Sequence, residues 1–308
     1  MEAALPEAFR RTIISLYGDA GTAWLRALPQ TIAGFTRRWG LQVGSPFALS
    51  YHYVAPALRT DGTPAVLKLG VPADRELRSE ADALRLLDGG GAVRLLDADL
   101  DRGAVLLERC EPGTTLTALV MNDDDQRATA AAGAVLAALR RPAPREHPFV
   151  TQEDWGRGLA RHRAAHQGTA GPLPSARLAE AERRFAELCA TTTQRVVLHG
   201  DLHHDNVLAA QRTPWLAIDP KGVVGDPAYE PGALLRNPWN LLLALPDPGG
   251  VLDRRIDQLA EQLDLDRERI RGWAFAQAVL SAVWSLEDHG EASAFALACA
   301  DLLSPPSR

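Results

Sequence analysis

The sequence predicts an α+β chain of two lobes, a small one containing a sheet and a larger one that is mainly helical. Three observations carry that reading. Strand-forming runs crowd between Phe47 and Glu108, helical periodicity dominates after Gly113, and one dense polar cluster, His199–Asn206, lies between short apolar runs inside the helical part. The boundaries are 1–107 for the first lobe, 108–113 for a joint and 114–308 for the second. A chain of 308 residues with 46% apolar and 23% charged side chains has ample material for folded cores.

In chain order, Pro6 opens a helix in which Phe9, Ile13, Leu16 and Tyr17 recur at helical spacing. Trp24, Leu25, Leu28, Ile32, Phe35 and Trp39 mark a second helical segment, ended by Gly40. Phe47–Leu58 is rich in strand formers, Arg59–Gly62 is a turn, and Ala65–Gly70 returns as a strand, which makes a hairpin. Arg75–Leu87 is an amphipathic helix stopped by three glycines. Ala92–Asp97 and Ala104–Glu108 read as another strand pair. Asp123–Arg140 is an alanine-rich helix with aspartates at its positive end. Leu159–Leu188 is helical with a break at 168–174, Arg195–Ile218 holds short strands, and Leu252–Leu303 returns to helices.

Composition narrows the function. The net charge of −6, without basic runs, argues against nucleic-acid binding. The stretch Trp273–Leu286 is too short to span a bilayer and reads as a buried helix, so no membrane partner is expected. Cys110, Cys189 and Cys299 are odd in number and unpatterned, as in a reducing cytoplasm. The start is acidic and lacks the apolar core of a signal peptide, so a cytoplasmic protein is expected; a monomer is expected as well. Of the 33 basic residues only Lys68 and Lys221 are lysines. Arginine supplies positive charge everywhere else, which draws attention to these two positions.

The chemistry concentrates in His199-Gly-Asp-Leu-His-His-Asp-Asn206 and the turn and strand that follow, ending in Asp219. A strand, a turn and a strand bring the ends of this unit together, so Asp201, Asn206 and Asp219 can converge. Two carboxylates and an amide suit a hard cation such as Mg²⁺, and a carboxylate beside it can accept a proton from a hydroxyl nucleophile. A zinc hydrolase is the competing reading of the same histidines, but Asp201 stands where its His-x-His-x-Asp-His pattern needs a second histidine.

This segment resembles the catalytic loop of the protein-kinase-like fold in the form used by aminoglycoside phosphotransferases. Protein kinases carry His-Arg-Asp here, with Asn five residues after the Asp, and Gly200 replaces the arginine. Together with Ile218-Asp-Pro-Lys-Gly222 and Gly225-Asp-Pro-Ala-Tyr-Glu230, it is similar to the streptomycin 6-phosphotransferase branch, the aminoglycoside/hydroxyurea antibiotic-resistance kinases. The resemblance implies a bilobal fold that binds ATP or GTP with Mg²⁺ and phosphorylates a hydroxyl of a small cationic antibiotic, streptomycin foremost. It makes Asp201 the base, and Asn206 and Asp219 the metal ligands. A kinase for another small alcohol or antibiotic, or a nucleotide-binding pseudokinase, are the alternatives.

The same resemblance makes demands upstream. Ala65-Val-Leu-Lys68 matches the strand lysine that holds the nucleotide phosphates, and Glu80, with Glu76 as fallback, matches its helix partner. Glu108 and Cys110 would offer backbone groups to the nucleobase, and Ala65, Leu208 and Ile218 would sandwich it. The phosphate-covering loop departs from the kinase pattern, with no glycine between Gly44 and Gly62. Ser50 could donate to a phosphate there, and Tyr51 or His52 could cover the site. For a guanidinium-bearing acceptor, Asp226 and Glu230 are the expected carboxylates.

Overall fold

Pro6 has no amide hydrogen to lose and precedes a first helix, α1 (Glu7–Arg38), whose apolar residues recur on one side. The computed structural model of the protein describes residues 5–304. Helix α1 is two helices joined at Gly18, whose φ of 55° only glycine adopts without strain. A Cβ at Gly21 would lie 2.5 Å from the carbonyl oxygen of Ile13, so the halves meet closely there.

The chain divides into two compact units, one of Met1–Gly89 with Val93–Glu111, the other of Gly90–Ala92 with Pro112–Arg308. The first contains α1 and a five-stranded antiparallel sheet in the order β1-β2-β3-β5-β4. Its strands are β1 (Leu41–Val43), β2 (Tyr53–Arg59), β3 (Pro64–Leu69), β4 (Leu95–Asp99) and β5 (Ala104–Glu108), with α2 (Arg75–Leu87) between β3 and β4. Phe9, Ile13, Trp24, Leu25, Leu28 and Phe35 of α1 form one core with Ala55, Ala57, Ala65, Leu67 and Leu69. Two strand boundaries differ from expectation. Residues 44–52 are loop, despite their strand-forming side chains, and β2 begins only at Tyr53. Ala92 stands outside β4 and bridges to Ala217 in the second unit's own fold.

The second unit comprises α3 (Thr117–Met121), α4 (Asp125–Leu139), β6 (Arg141–Pro142), β7 (Val150–Thr151), α5 (Gln152–Ala165), α6 (Ser175–Ala190), β8 (Val196–Leu198), β9 (Val207–Ala209), β10 (Trp215–Ala217) and β11 (Val223–Gly225). It continues with α7 (Gly232–Leu235), α8 (Trp239–Leu242), α9 (Pro248–Leu263), α10 (Arg267–His289) and α11 (Ala294–Leu303). Asp266 caps α10 by accepting from the Arg269 amide at 2.6 Å, and Gly290 ends it in the left-handed conformation. The middle of the helix, from Gly272 to Leu280, is buried all round, and the helix packs on α5, α6, α9 and α11. Among the described residues, no helix is long and apolar enough to cross a membrane.

Candidate active site

Two small β arrangements of the second unit hold the polar cluster. Strands β9 and β10 form a hairpin in which Val207 faces Ala217. The ladder runs one step further, with the Ile218 amide donating to the Asn206 carbonyl at 3.0 Å. Asn206 and Asp219 are therefore neighbours although 13 residues apart in sequence. Strands β8 and β11 pair antiparallel, Leu198 against Val223, and the Lys221 amide donates to the His199 carbonyl at 2.7 Å. The segment that begins at His199 thus runs alongside the one that follows Asp219.

His199 joins the two acidic ends. Its ring is buried, Nε2–H donates to the Ile218 carbonyl at 2.8 Å, and Nδ1 accepts from the Asp201 amide at 3.3 Å. Burial pushes its pKa down to about 4, so the ring is neutral and can do both. With both nitrogens engaged, His199 has none left for zinc, which removes a ligand from the hydrolase reading. Gly200 has φ 87°, and a Cβ there would lie 2.8 Å from Trp155 Cη2, so the loop passes directly against that ring.

Asp201 is partly exposed and lies between two cationic or titratable groups. Arg236 approaches one carboxylate oxygen at 3.8 Å, and His203 Nε2 approaches the other at 3.8 Å. Arg236 is itself steadied by Gln277 Oε1 at 3.2 Å. His203 stands in the sequence only as a candidate zinc ligand of the hydrolase reading, and Arg236 does not stand out at all. Arg236 is one of 31 arginines, 35 residues from Asp201, and no local pattern marks it.

The Asn206 side-chain amide donates to the Asp201 carbonyl at 2.9 Å. That bond fixes which end of the amide faces inward and directs Oδ1 the other way. Asp219 adopts φ 59°, an unusual conformation for a residue with a Cβ. Its Oδ2 accepts from Lys221 Nζ at 3.0 Å, which gives the second lysine a defined contact. An amide oxygen and a carboxylate side by side match the donor set of Mg²⁺, the remaining positions of such an ion falling to phosphates and water. The residues therefore fit that cation.

The two carboxylates expected to meet the acceptor do other work. Asp226 is 4% exposed; its Oδ2 accepts from Arg269, Trp273 Nε1 and Thr192, and its Oδ1 accepts from the Ala228 amide. It ties α10 to the segment after β11. Glu230 is also buried, and its two oxygens accept from the backbone amides of His199 at 2.6 Å and Gly200 at 2.9 Å. It braces the loop from behind. Both were chosen for their closeness in sequence to the hairpin, which says nothing about the direction in which a side chain points.

Burial pushes the Glu230 carboxyl up to about 7, with the nearby Asp201 charge adding to the rise and the two backbone amides opposing it. A raised acid pKa contributes stability that is present below the ordinary value of 4.5 and lost as pH rises through about 7. The brace needs two acceptors, so it is strongest above that value. In wild type, turnover should fall below pH 7 while this contribution to thermal stability grows. Glu230→Gln places an NH₂ against one loop amide. It should cost about 10- to 100-fold in kcat and flatten both pH trends, as pH-dependent rates and melting curves would show.

In the first unit, Lys68 Nζ donates to Glu80 Oε2 at 2.6 Å, and both side chains are buried. Alternation along β3 sends Ala65, Leu67 and Leu69 into the core beneath α1 and Lys68 to the opposite face. Ala65 therefore packs away from the lysine, and Val66 is the residue on the lysine's face. Ala65 thus points away from the face on which it was expected to meet a nucleobase, since only side chains two apart share a face. Ser50 is exposed, as is Tyr51, but His52 is buried. Glu108 closes the pairing of β5 with β3 opposite Ala65, and its Oε2 accepts from the Arg94 amide at 2.9 Å. Cys110 is buried. Leu208 and Ile218, in the second unit, are half-buried at the hairpin that carries Asn206 and Asp219.

Known proteins place these features in context. Residues 38–289 match the family model described as aminoglycoside/hydroxyurea antibiotic resistance kinase. The chain is 37% identical to a streptomycin 6-kinase of Streptomyces glaucescens, over 92% of this chain and 91% of that protein. It is 39% identical to a hydroxyurea phosphotransferase of Kitasatospora aureofaciens, over 88% and 77%. The fold is similar to that of an aminoglycoside phosphotransferase crystallised with ADP and hygromycin B, with a TM-score of 0.62, 16% identity and coverage of 88% and 97%. It is also similar to a choline/ethanolamine kinase family protein from Mesorhizobium loti, with a TM-score of 0.64, 16% identity and coverage of 94% and 95%. The loop from His199 to Asn206, the hairpin to Asp219 and the Lys68–Glu80 pair are thus read in a protein-kinase-like phosphotransferase, and the chain belongs to the aminoglycoside/hydroxyurea antibiotic resistance kinase family.

Proposed function

We propose that this kinase transfers the γ-phosphate of ATP to a hydroxyl of streptomycin and so inactivates the antibiotic. The observation that carries the reading is the pre-set loop, in which Glu230, His199 and Asn206 hold the backbone around Asp201 and leave its carboxylate partly exposed. Asp201 orients the acceptor hydroxyl and takes its proton. The hydroxyl oxygen then bonds to the γ-phosphorus as the bond to the bridging oxygen breaks, and ADP leaves. Lys68, held by Glu80, binds the nucleotide phosphates. Asn206 Oδ1 and Asp219 are the protein's oxygen donors to Mg²⁺, which, when bound, neutralises phosphate charge. Lys221 holds the Asp219 carboxylate in place.

A guanidinium-bearing acceptor is supported by the surroundings of Gly200. The ring of Trp155 lies against that glycine and meets Trp284 edge-on, with ring centres 5.4 Å apart. Flat aromatic faces next to the loop attract a cation. The hydroxyurea phosphotransferase likeness favours a second reading, in which the acceptor is a small uncharged hydroxyl compound. ADP release with streptomycin, hygromycin B, choline and hydroxyurea separates them. The expected kcat/KM for streptomycin exceeds each of the others by about 10²-fold or more. A preference for hydroxyurea, or turnover of none of the four, rejects the proposal.

A further inference from the structure

The loop at 44–52 occupies the place of a glycine-rich phosphate loop in sequence, but it is anchored by a buried hydrogen-bonded pair. His52 Nε2 meets Asp74 Oδ2 at 2.5 Å, and the two side chains are 10% and 5% exposed. Asp74 is also the N-cap of α2, its Oδ1 accepting from the Glu76 amide at 2.8 Å and from Leu77 at 3.4 Å. One carboxylate therefore grips the loop with one oxygen and the helix that carries Glu80 with the other.

Two further contacts converge on this pair. Gly70, two residues after Lys68, lies so close that a Cβ would sit 2.9 Å from His52 Cδ2 and 3.2 Å from Asp74 Oδ2. The Asp74 amide donates to the Val71 carbonyl at 2.8 Å. Tyr17 of α1 feels the same carboxylate; burial first, and the Asp74 charge second, push its pKa up to about 12. Asp74 in turn is held below the usual carboxylate range despite its burial, because His52 and the α2 amides favour its charged form.

We infer that His52 and Asp74 are positioning residues for the nucleotide, fixing the loop that bears Ser50 and the helix that bears Glu80 in one arrangement before ATP binds. The inference rests on reading Lys68, Glu80 and the loop as the phosphate-binding parts. A glycine loop can mould itself to phosphates, whereas bulky residues such as Leu49 and Tyr51 cannot, so this loop must already be set. A buried charge-assisted bond is suited to that.

The test is the Kd of a fluorescent ATP analogue, with the KM for ATP and for the acceptor, in His52→Ala, Asp74→Asn, the double variant and His52→Gln. Asparagine keeps an oxygen to cap α2, and glutamine returns an N–H donor near the place of Nε2. Each single variant should weaken nucleotide binding about tenfold and the double variant no further, with the acceptor KM unmoved. His52→Gln should recover most of the loss. Wild-type nucleotide affinity in folded His52→Ala and Asp74→Asn overturns the inference, as does an equal rise in both KM values that merely follows a fall in Tm. Lys68→Ala in the same assay tests the underlying reading separately. If it loses affinity while His52→Ala keeps it, the positioning role fails alone; if it keeps wild-type affinity, the phosphate-site reading and the positioning role both fail.

Discussion

Asp201→Asn is expected to lower kcat by about 10²- to 10⁴-fold while leaving the nucleotide KM, the acceptor KM and Tm close to wild type. Asparagine has the same shape and cannot take up a proton at neutral pH. The braces that set the loop engage backbone atoms at this position, since the 201 amide donates to His199 and the 201 carbonyl accepts from Asn206. Both bonds survive the substitution. What disappears is the charge between Arg236 and His203. A loss confined to kcat therefore reports the proton-accepting role, because a binding role would raise KM instead. Near-normal turnover in Asp201→Asn would remove the base assignment.

Lys68→Ala should reduce kcat/KM by about 10²- to 10³-fold, and it should also destabilise the protein. The two effects have separate causes. The ammonium supplies positive charge to the phosphates, and it also compensates the buried Glu80 carboxylate. Removing one partner of a buried pair costs about 3–5 kcal/mol, whereas replacing both with neutral groups is often tolerated. Lys68→Met with Glu80→Gln should accordingly recover much of the lost Tm and none of the lost activity. Lys68→Arg keeps the charge but brings a broad planar group to a confined position at a strand's end, and its turnover should stay well below wild type. If it were near normal, charge alone would suffice and the scarcity of lysine in this chain would carry no meaning.

How much the sequence reveals depends on whether the physics is local. The strand–turn–strand unit from Val207 to Ala217 could be read directly, because its turn residues and apolar runs are adjacent. It follows that Asn206 and Asp219 are neighbours. The Lys68–Glu80 contact was legible only through the family resemblance, which calls for a helix glutamate as partner of the strand lysine. Ala65 faces the core and Lys68 the other side, because in a strand a step of one or three residues reverses the face. Asp226 and Glu230 were misjudged for a different reason. Their oxygens are engaged by Arg269, Trp273 and the loop amides, partners up to 47 residues away that no local pattern discloses. Arg236 and the His52–Asp74 pair escaped notice likewise, for both depend on tertiary packing. Residues 44–52 have strand-forming side chains, yet Phe47 and Tyr51 are exposed and no strand forms there.

The most direct measurement of the central claim is product analysis by mass spectrometry and phosphorus NMR after incubation with ATP, Mg²⁺ and streptomycin, with Asp201→Asn in parallel. The account predicts a streptomycin monophosphate with one ADP formed per molecule of product, and only trace product from the variant. Nucleotide bound with no phosphorylated streptomycin formed, or the same yield from Asp201→Asn, would contradict it.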